Sequence, residues 1–299
     1  MTTVTRDSAT PDERSRLALP RNTVEATMPS APYRLASREA HLEKTIVTVG
    51  GVRIGAGDPI VIAGPCSVES EAGIIEAALA AREAGAQLLR GGAFKPRTSP
   101  YSFQGLGLEG LQLLARARAE SGLPIVTEVM EPAMVEPVAE VADMLQIGSR
   151  NMQNFALLRA VGRSSRPVLL KRGFAATIEE WLLAAEYILS EGNPDVVMCE
   201  RGVRSFDPMT RNLLDLTCVP LLAQLTHLPV LVDPSHGAGR GDLVPAMGVA
   251  AIAAGADGLI VEMHPHPNQA LTDADQAITP GALAAMIERI ERVSAALRD

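Results

Sequence analysis

The sequence lacks several features that would place it in a specialised class of protein. Every run of about 18 residues contains a charge or a chain break, and the nearest candidate, "AMGVAAIAAGADGLIV", carries Asp257, so we predict no membrane-spanning helix. The amino terminus has no apolar segment typical of a signal peptide, and we therefore expect a cytoplasmic protein. Three cysteines, an odd number in 299 residues, favour reduced thiols over a disulfide framework.

An overall excess of positive charge is absent too. The net charge is −8, whereas nucleic acids and membrane surfaces are held by broad basic faces, so neither partner is expected. The stretch "RGGAFKPRTS" nevertheless places Arg90, Lys95 and Arg97 on a segment too rich in glycine for a helix. This local cluster predicts a binding site for an anion.

Two parts of the chain differ in composition. Residues 1–32 are rich in Ser, Thr, Pro and charge without apolar periodicity, which predicts a mobile N-terminal arm. The stretch "TIVTVGGVRIGAG" alternates apolar and polar residues around Gly50 and Gly51, a pattern typical of a β-hairpin. We place a single catalytic domain at residues 33–299.

Eight short apolar runs follow, separated by segments of helical character. In "TIEEWLLAAEYILSEGNP", Thr177 and Glu180 have the spacing of a capping box, and in the last segment Thr279 precedes Pro280 at a helix start. Nearly continuous apolar strands indicate a parallel sheet covered on both faces, and no G-x-G-x-x-G turn follows the first strand. We predict an α/β protein, a (β/α)8 TIM barrel with a short N-terminal β-hairpin and a disordered N-terminal arm.

Each predicted strand ends in a polar or reactive residue. In a (β/α)8 barrel these ends meet at one mouth, where function is located. Gathering several Arg and Lys residues there costs repulsion unless anions enter, which predicts a substrate with phosphate and carboxylate groups, although each cation could instead pair with a barrel carboxylate. The strand-end residues are Cys66, Arg90, Glu128, Arg150, Lys171, Arg201, His236 and Glu262, and the added loop cations are Lys95, Arg97, Arg172 and Arg204.

A second set of side chains has the composition of a metal site. Cys66, His236 and Glu262 come from strand ends, and Asp273 lies in the loop after the last strand. One thiolate, one imidazole and two carboxylates suit a divalent cation. A buried cysteine is more often part of a core, so this prediction depends on the barrel bringing the four residues together.

Several motifs resemble those of the microbial type Iβ 3-deoxy-D-arabino-heptulosonate 7-phosphate (DAHP) synthases. They are "AGPCS", "LRGGAFKPRTSPYSFQGLG", "QIGSRNMQN", "LLKRG", "CERGVR", "DPSHGAGR" and "VEMHPHPNQALTDADQ", and the resemblance covers residues 33–299. It implies a barrel enzyme, a metal-dependent transferase that condenses phosphoenolpyruvate with erythrose 4-phosphate and releases phosphate. This reaction is the first step of the shikimate pathway of aromatic amino acid biosynthesis.

The resemblance also implies residue roles. The metal ligands would be Cys66, His236, Glu262 and Asp273. The phosphoenolpyruvate-binding residues would be Arg90, Lys95, Arg150, Lys171 and Arg201. The erythrose 4-phosphate-binding residues would be Arg97, Thr98 and Ser99. We predict Lys95 as the proton donor to the developing alkoxide, with metal-bound water or Glu128 assisting proton transfer.

The resemblance extends to cofactor and partners. Mn²⁺ is the expected metal, with Fe²⁺, Co²⁺ and Zn²⁺ as alternatives. A homo-oligomer, dimer or tetramer, is expected. Because the arm is shorter than the regulatory or chorismate mutase domain of many members, we expect weak or no intrinsic feedback by aromatic amino acids, or control through a regulatory partner such as chorismate mutase.

Three alternatives stay open at this point. The related 3-deoxy-manno-octulosonate 8-phosphate synthases use arabinose 5-phosphate and resemble one another in "KANRS", where this chain has "KPRTS". A Schiff-base aldolase could use Lys171. A catalytically silent barrel could serve as a regulatory subunit, although no candidate ligand or cation is missing from the motifs.

Overall fold

Ten strands and nine helices make up the regular structure of the described residues, which in this computed structural model are 31–96, 99 and 101–298. Strands β1 (Val47–Val49) and β2 (Val52–Ile54) form an antiparallel hairpin. Eight parallel strands then close into a barrel in chain order, with the first paired to the last, which confirms the predicted TIM barrel. They are β3 (Ile60–Gly64), β4 (Leu88–Arg90), β5 (Ile125–Glu128), β6 (Met144–Ile147), β7 (Val168–Lys171), β8 (Val196–Glu200), β9 (Val230–Val232) and β10 (Gly258–Glu262).

Helices follow the barrel strands, with two after β9. The capping box predicted at Thr177 and Glu180 is present, as is the start at Thr279 and Pro280. The helices are α1 (Glu71–Glu83), α2 (Leu108–Ser121), α3 (Val135–Val141), α4 (Phe155–Gly162), α5 (Ile178–Ser190), α6 (Cys218–Leu225), α7 (Pro234–Ala238), α8 (Val244–Ala253) and α9 (Pro280–Ala296).

The hairpin covers the end of the barrel where the strands begin. Gly50 and Gly51 have φ of 55° and 91°, so the turn uses the left-handed conformations that glycine tolerates, and Val49 pairs with Val52. Apolar side chains of the hairpin are fully buried in the same cluster as side chains of the strands. Members of this cluster include Val47, Val49, Ile54, Ile62, Leu88, Val126, Met144 and Leu169.

The opposite end of the barrel, where the strands end, is not covered by the hairpin and carries the polar strand-end residues. Every residue of the eight barrel strands is buried, as expected for parallel strands covered by helices. No described helix is both long and apolar enough to cross a membrane. The predicted arm, residues 1–32, lies almost wholly outside the described residues, so the domain limit at 32/33 stays a prediction.

Candidate active site

A polar cavity of about 300 Å³ opens at the carboxyl ends of the barrel strands, and we call it the mouth cavity. Its wall includes residues from strand ends and following loops that are far apart in sequence. The sequence-predicted residues along it are Arg90, Lys95, Ser99, Glu128, Arg150, Lys171, Arg201, His236 and Asp273. The barrel thus brings the five predicted phosphoenolpyruvate cations to one space.

Four of those five cations are buried. Arg90, Lys95, Lys171 and Arg201 are each at most 7% exposed, whereas Arg150 is exposed. Arg90 Nη1 lies 3.2 Å from Glu262 Oε1, yet neither Nε nor Nη1 of Arg90 makes a hydrogen bond within the described structure. Buried cations with unused donors indicate a place for an anionic ligand.

Arg172 differs from the other cations with which the sequence grouped it. Its Nη1 donates to Glu200 Oε2 at 3.1 Å and to Asp215 Oδ2 at 2.8 Å, and Arg172 does not line the mouth cavity. For this residue, the alternative of pairing with barrel carboxylates is the correct one. Its ion pairs hold the loop after β8 to the end of β7.

The four predicted metal ligands lie together. The ligand atoms of Cys66, His236, Glu262 and Asp273 are all within 4.8 Å of one another. Cys66 Sγ donates to Asp273 Oδ2 at 2.9 Å, and His236 Nε2 lies 3.1 Å from Glu262 Oε1. Glu262 Oε1 is buried and makes no hydrogen bond to the described residues, so a donor oxygen remains for a cation. The set fits a divalent transition metal.

Asp233, which we did not predict, orients the histidine of this cluster. It is fully buried and caps α7, where Oδ1 accepts the His236 backbone N–H at 2.9 Å and Oδ2 accepts Nδ1–H at 2.7 Å. The Nε2 lone pair therefore points to the cluster. Asp233 Oδ2 also accepts from Lys171 Nζ. Burial opposes ionisation of Asp233, but His236 and Lys171 hold its pKa well below the usual range.

Lys95 connects the thiol to the mouth cavity. Its Nζ donates to Cys66 Sγ at 2.7 Å and to the Cys66 carbonyl at 2.9 Å. Burial, reinforced by Glu262, raises the pKa of Cys66 to about 12, so without a metal it is a protonated thiol. Burial also disfavours the charged form of Lys95, but nearby negative charge, that of Glu262 included, outweighs this effect and raises its pKa. Lys95 is an ammonium group available as a proton donor.

Asp273 reaches the cluster through an unusual backbone conformation. Its φ of 52° is the only left-handed value at a non-glycine residue in the described chain. Arg211 Nη1 lies 3.3 Å from Asp273 Oδ1 and donates to Gln276 Oε1 at 2.8 Å, while Gln276 Nε2 donates to Glu262 Oε2 at 2.6 Å. Arg211 and Gln276 come from loops without a periodic pattern, and sequence reasoning missed both.

Glu128 is held beside the cavity by its neighbours. Gln146 Nε2 donates to Glu128 Oε2 at 3.3 Å, while Oε1 is buried without a hydrogen-bond partner among the described residues. A Cβ at Gly148 would lie 2.0 Å from that Oε1, so only glycine leaves room for the carboxylate. Glu128 is placed where it can accept a proton from a ligand in the cavity.

The predicted erythrose 4-phosphate segment is described only in part. Ser99 lies along the mouth cavity and is exposed. Arg97 and Thr98 lie outside the described residues, so their role stays a prediction. Gly92 precedes this segment in the chain. A Cβ at position 92 would lie 2.7 Å from the Cys66 carbonyl oxygen and 2.8 Å from Lys95 Cδ, so a larger residue would clash with both.

Comparison with known proteins agrees with this geometry. Residues 36–298 match the DAHP synthetase I family. The phospho-2-dehydro-3-deoxyheptonate aldolase of Thermotoga maritima is 50% identical over 266 residues, covering 89% of this chain and 79% of that protein. A 2-dehydro-3-deoxyphosphooctonate aldolase of Rhodopseudomonas palustris is 36% identical over 253 residues, covering 78% of this chain and 87% of that protein.

Solved structures resemble this one over the same region. The crystal structure of the Thermotoga maritima DAHP synthase superimposes with a TM-score of 0.86 at 49% identity, covering 89% of this chain and 78% of that chain. A truncated form of the synthase from the same organism gives a TM-score of 0.83 at 47% identity, covering 89% of this chain and 97% of that chain.

Proposed function

The chain belongs to the DAHP synthetase I family, and we propose that its mouth cavity condenses phosphoenolpyruvate with erythrose 4-phosphate to give DAHP and phosphate. This reaction is the first step of the shikimate pathway. The observation that carries the proposal is that five predicted anion-binding cations line one cavity together with His236 and Asp273, two members of the cluster of one thiol, one imidazole and two carboxylates.

Phosphoenolpyruvate suits the cations because it carries a phosphate and a carboxylate close together. Arg guanidinium groups bind such oxygens with two parallel hydrogen bonds, and lysine adds a point charge. The unused donors of Arg90 support a ligand at this position. We propose that Arg90, Lys95, Arg150, Lys171 and Arg201 hold phosphoenolpyruvate.

We propose that Cys66, His236, Glu262 and Asp273 bind a divalent cation, Mn²⁺ first, with Fe²⁺, Co²⁺ or Zn²⁺ as alternatives. Polarisation of the aldehyde oxygen of erythrose 4-phosphate is the chemistry that such an ion supplies when bound. The buried Glu262 Oε1, which makes no hydrogen bond, and the His236 tautomer set by Asp233 support this ligand set.

Protons move through Lys95 and Glu128 in this proposal. C3 of phosphoenolpyruvate forms a bond to the aldehyde carbon, and Lys95 gives its proton to the alkoxide that develops. Water adds at C2 and loses a proton to Glu128, and cleavage of the C–O bond then releases phosphate. Lys95 can take this part because it lines the mouth cavity and its raised pKa keeps it protonated.

The choice of aldose rests on the "KPRTS" segment and on relatives. Identity is 50% to a heptonate aldolase and 36% to an octonate aldolase, which favours the four-carbon sugar. We propose that Arg97, Thr98 and Ser99 hold its phosphate. The ion pair between Lys171 and Asp233 favours an anion-binding ammonium over an imine-forming amine.

The test is consumption of phosphoenolpyruvate with erythrose 4-phosphate or arabinose 5-phosphate, after chelation and again after addition of Mn²⁺. We expect turnover with erythrose 4-phosphate only, lost on chelation and restored by metal. Turnover after chelation would contradict the metal site, and a preference for arabinose 5-phosphate would contradict the aldose assignment. Inactivity with both sugars would favour a silent barrel, and borohydride trapping of pyruvate on Lys171 would favour a Schiff-base aldolase.

We also propose that the protein acts in the cytoplasm as a homodimer or homotetramer. Control through a regulatory partner such as chorismate mutase is part of the same proposal. Light scattering tests the oligomer, and turnover with saturating Phe, Tyr or Trp, alone and with chorismate mutase, tests the control.

A further inference from the structure

The phenyl ring of Phe174 lies among the cations of the mouth cavity. Phe174 follows β7 by three residues and lines the cavity. The guanidinium carbon of Arg201 is 4.7 Å from its ring centroid, that of Arg204 is 5.2 Å away and that of Arg150 is 5.4 Å away. All three distances are within the range of cation–π attraction.

The three arginines come from the two loops on either side of Phe174. Arg150 follows β6, whereas Arg201 and Arg204 follow β8, and β7 lies between those strands in the barrel. The backbone reinforces the arrangement, because the Arg204 N–H donates to the Phe174 carbonyl at 2.7 Å. Phe174 therefore contacts both neighbouring loops, and its ring brings together three guanidinium groups from different parts of the sequence.

Arginines gathered around one ring repel one another, and burial makes such repulsion stronger. Arg201 is only 3% exposed, and burial lowers its pKa although Asp233 opposes the effect. The negative face of a phenyl ring attracts guanidinium groups. The ring accepts no conventional hydrogen bond, so it does not itself occupy the N–H donors that an anion would need.

Arg172 illustrates the other way to stabilise a buried guanidinium. Two carboxylates, Glu200 and Asp215, accept hydrogen bonds from the same nitrogen atom of Arg172. Carboxylates placed in this way around Arg150 and Arg201 would compete with an anionic substrate for the same donors. An aromatic ring keeps the arginines together without that competition.

We propose that Phe174 is a positioning residue that holds Arg150, Arg201 and Arg204 around the anionic groups of phosphoenolpyruvate. The inference rests on the proposed function, and it adds Arg204, which is exposed and lies over the Phe174 ring without lining the cavity, to the proposed anion-binding cations. Removing the ring lets the guanidinium groups separate, so phosphoenolpyruvate binds more weakly while the reacting groups stay in place.

The experiment compares wild type, Phe174→Leu and Phe174→Tyr as Mn²⁺-loaded proteins. Tyr187→Leu is the matched control, because Tyr187 in α5 also has an arginine over its ring, Arg159 at 5.4 Å, but does not line the mouth cavity. The measurements are KM for each substrate, kcat, and the Kd of phosphoenolpyruvate by equilibrium dialysis. If the wild type shows no turnover, the proposed function is contradicted. If the wild type is active, the Phe174 variants can be compared with it to test the inference.

We expect Phe174→Leu to raise both KM and Kd for phosphoenolpyruvate about 10-fold, as loss of one to two cation–π contacts predicts, with kcat changed less than about twofold. Phe174→Tyr keeps the ring and should stay within about twofold of wild type, as should Tyr187→Leu. Wild-type KM in Phe174→Leu, or equal impairment by Leu and Tyr, would overturn the inference.

A double-mutant cycle tests the inference even if Phe174→Leu is poorly stable. Arg204 is exposed, so Arg204→Gln leaves the core intact. We expect Arg204→Gln to raise KM for phosphoenolpyruvate about threefold in wild type and to have little further effect in Phe174→Met, which keeps the volume but not the ring. Equal effects in both backgrounds would show that the ring does not act on Arg204 and would overturn the inference.

Discussion

One carboxylate oxygen, Asp233 Oδ2, serves two side chains with different proposed tasks. It accepts from Nδ1 of His236, a proposed metal ligand, and from Nζ of Lys171, a proposed phosphoenolpyruvate ligand. Because the oxygen is fully buried, water cannot replace either contact. The orientation of the imidazole and the position of the ammonium therefore depend on the same atom.

We expect Asp233→Asn to weaken Mn²⁺ binding about 10- to 100-fold. The amide offers one acceptor oxygen instead of two, so it cannot accept from the His236 backbone N–H as well as from His236 Nδ1 and Lys171 Nζ, and His236 loses its fixed orientation. Equilibrium dialysis of Mn²⁺ measures this effect without turnover. Asp257→Asn is the control, since Asp257 lies at the start of β10 and accepts from Lys44 and from the Val230 N–H. Wild-type affinity in Asp233→Asn would contradict this role.

At the scale of elements, the two glycines in the turn of the β1–β2 hairpin have different structural requirements. Gly50 and Gly51 both have positive φ, but their surroundings differ. A Cβ at Gly50 would lie 2.4 Å from Pro124 Cγ, whereas a Cβ at Gly51 would meet nothing within 4 Å. The first glycine is needed for conformation and for contact with the barrel, the second for conformation alone.

We expect Gly51→Ala to lower the free energy of unfolding by about 1 kcal/mol, the strain of alanine in a left-handed conformation. Gly50→Ala adds a clash with the barrel and should cost roughly 1–3 kcal/mol more. Urea unfolding of the two variants beside wild type measures both values. Equal losses of unfolding free energy in the two variants would show that contact with Pro124 contributes nothing and that backbone strain alone accounts for both.

The elements could be predicted from the sequence because their signals are local. Each barrel strand is an apolar run of a few residues, the α5 capping box lies within four residues, and the hairpin turn lies in one glycine pair. Contacts between elements could not be predicted in this way. Asp233 meets Lys171 across 62 residues, and no local pattern distinguishes Arg172, paired with Glu200, from Arg201 in the mouth cavity.

At the scale of the whole molecule, the segment before β1 is fastened to the barrel through buried His227. Its Nε2 contacts the Leu35 carbonyl at 2.8 Å and its Nδ1 contacts Thr45 Oγ1 at 2.6 Å. The carbonyl can only accept, so Nε2 carries the proton and Nδ1 accepts from the hydroxyl. The neutral ring satisfies both partners, and the segment is tied to the loop before β9.

This arrangement predicts acid sensitivity. Burial lowers the pKa of His227, although the Leu35 carbonyl opposes the shift, and nearby His41 and Arg38 lower it further while Glu186 raises it. Below about pH 6.5 the unfolded chain therefore binds a proton that the folded protein resists, and stability falls as pH falls. Urea unfolding between pH 7.5 and 5 should show that the free energy of unfolding declines less steeply in His227→Gln than in wild type. An equal decline in both proteins would assign the acid sensitivity to other groups.

The contacts of the Cys66 thiol bear on how the protein withstands oxidants. Peroxides and disulfides attack thiolates, and a thiol whose pKa is raised to about 12 holds almost no thiolate at neutral pH. Lys95 and Asp273 both contact its sulfur, and the side chain is 5% exposed. If the proposed metal site is correct, the metal-free protein therefore keeps Cys66 as a thiol that resists oxidation to sulfenic acid and stays able to bind an ion.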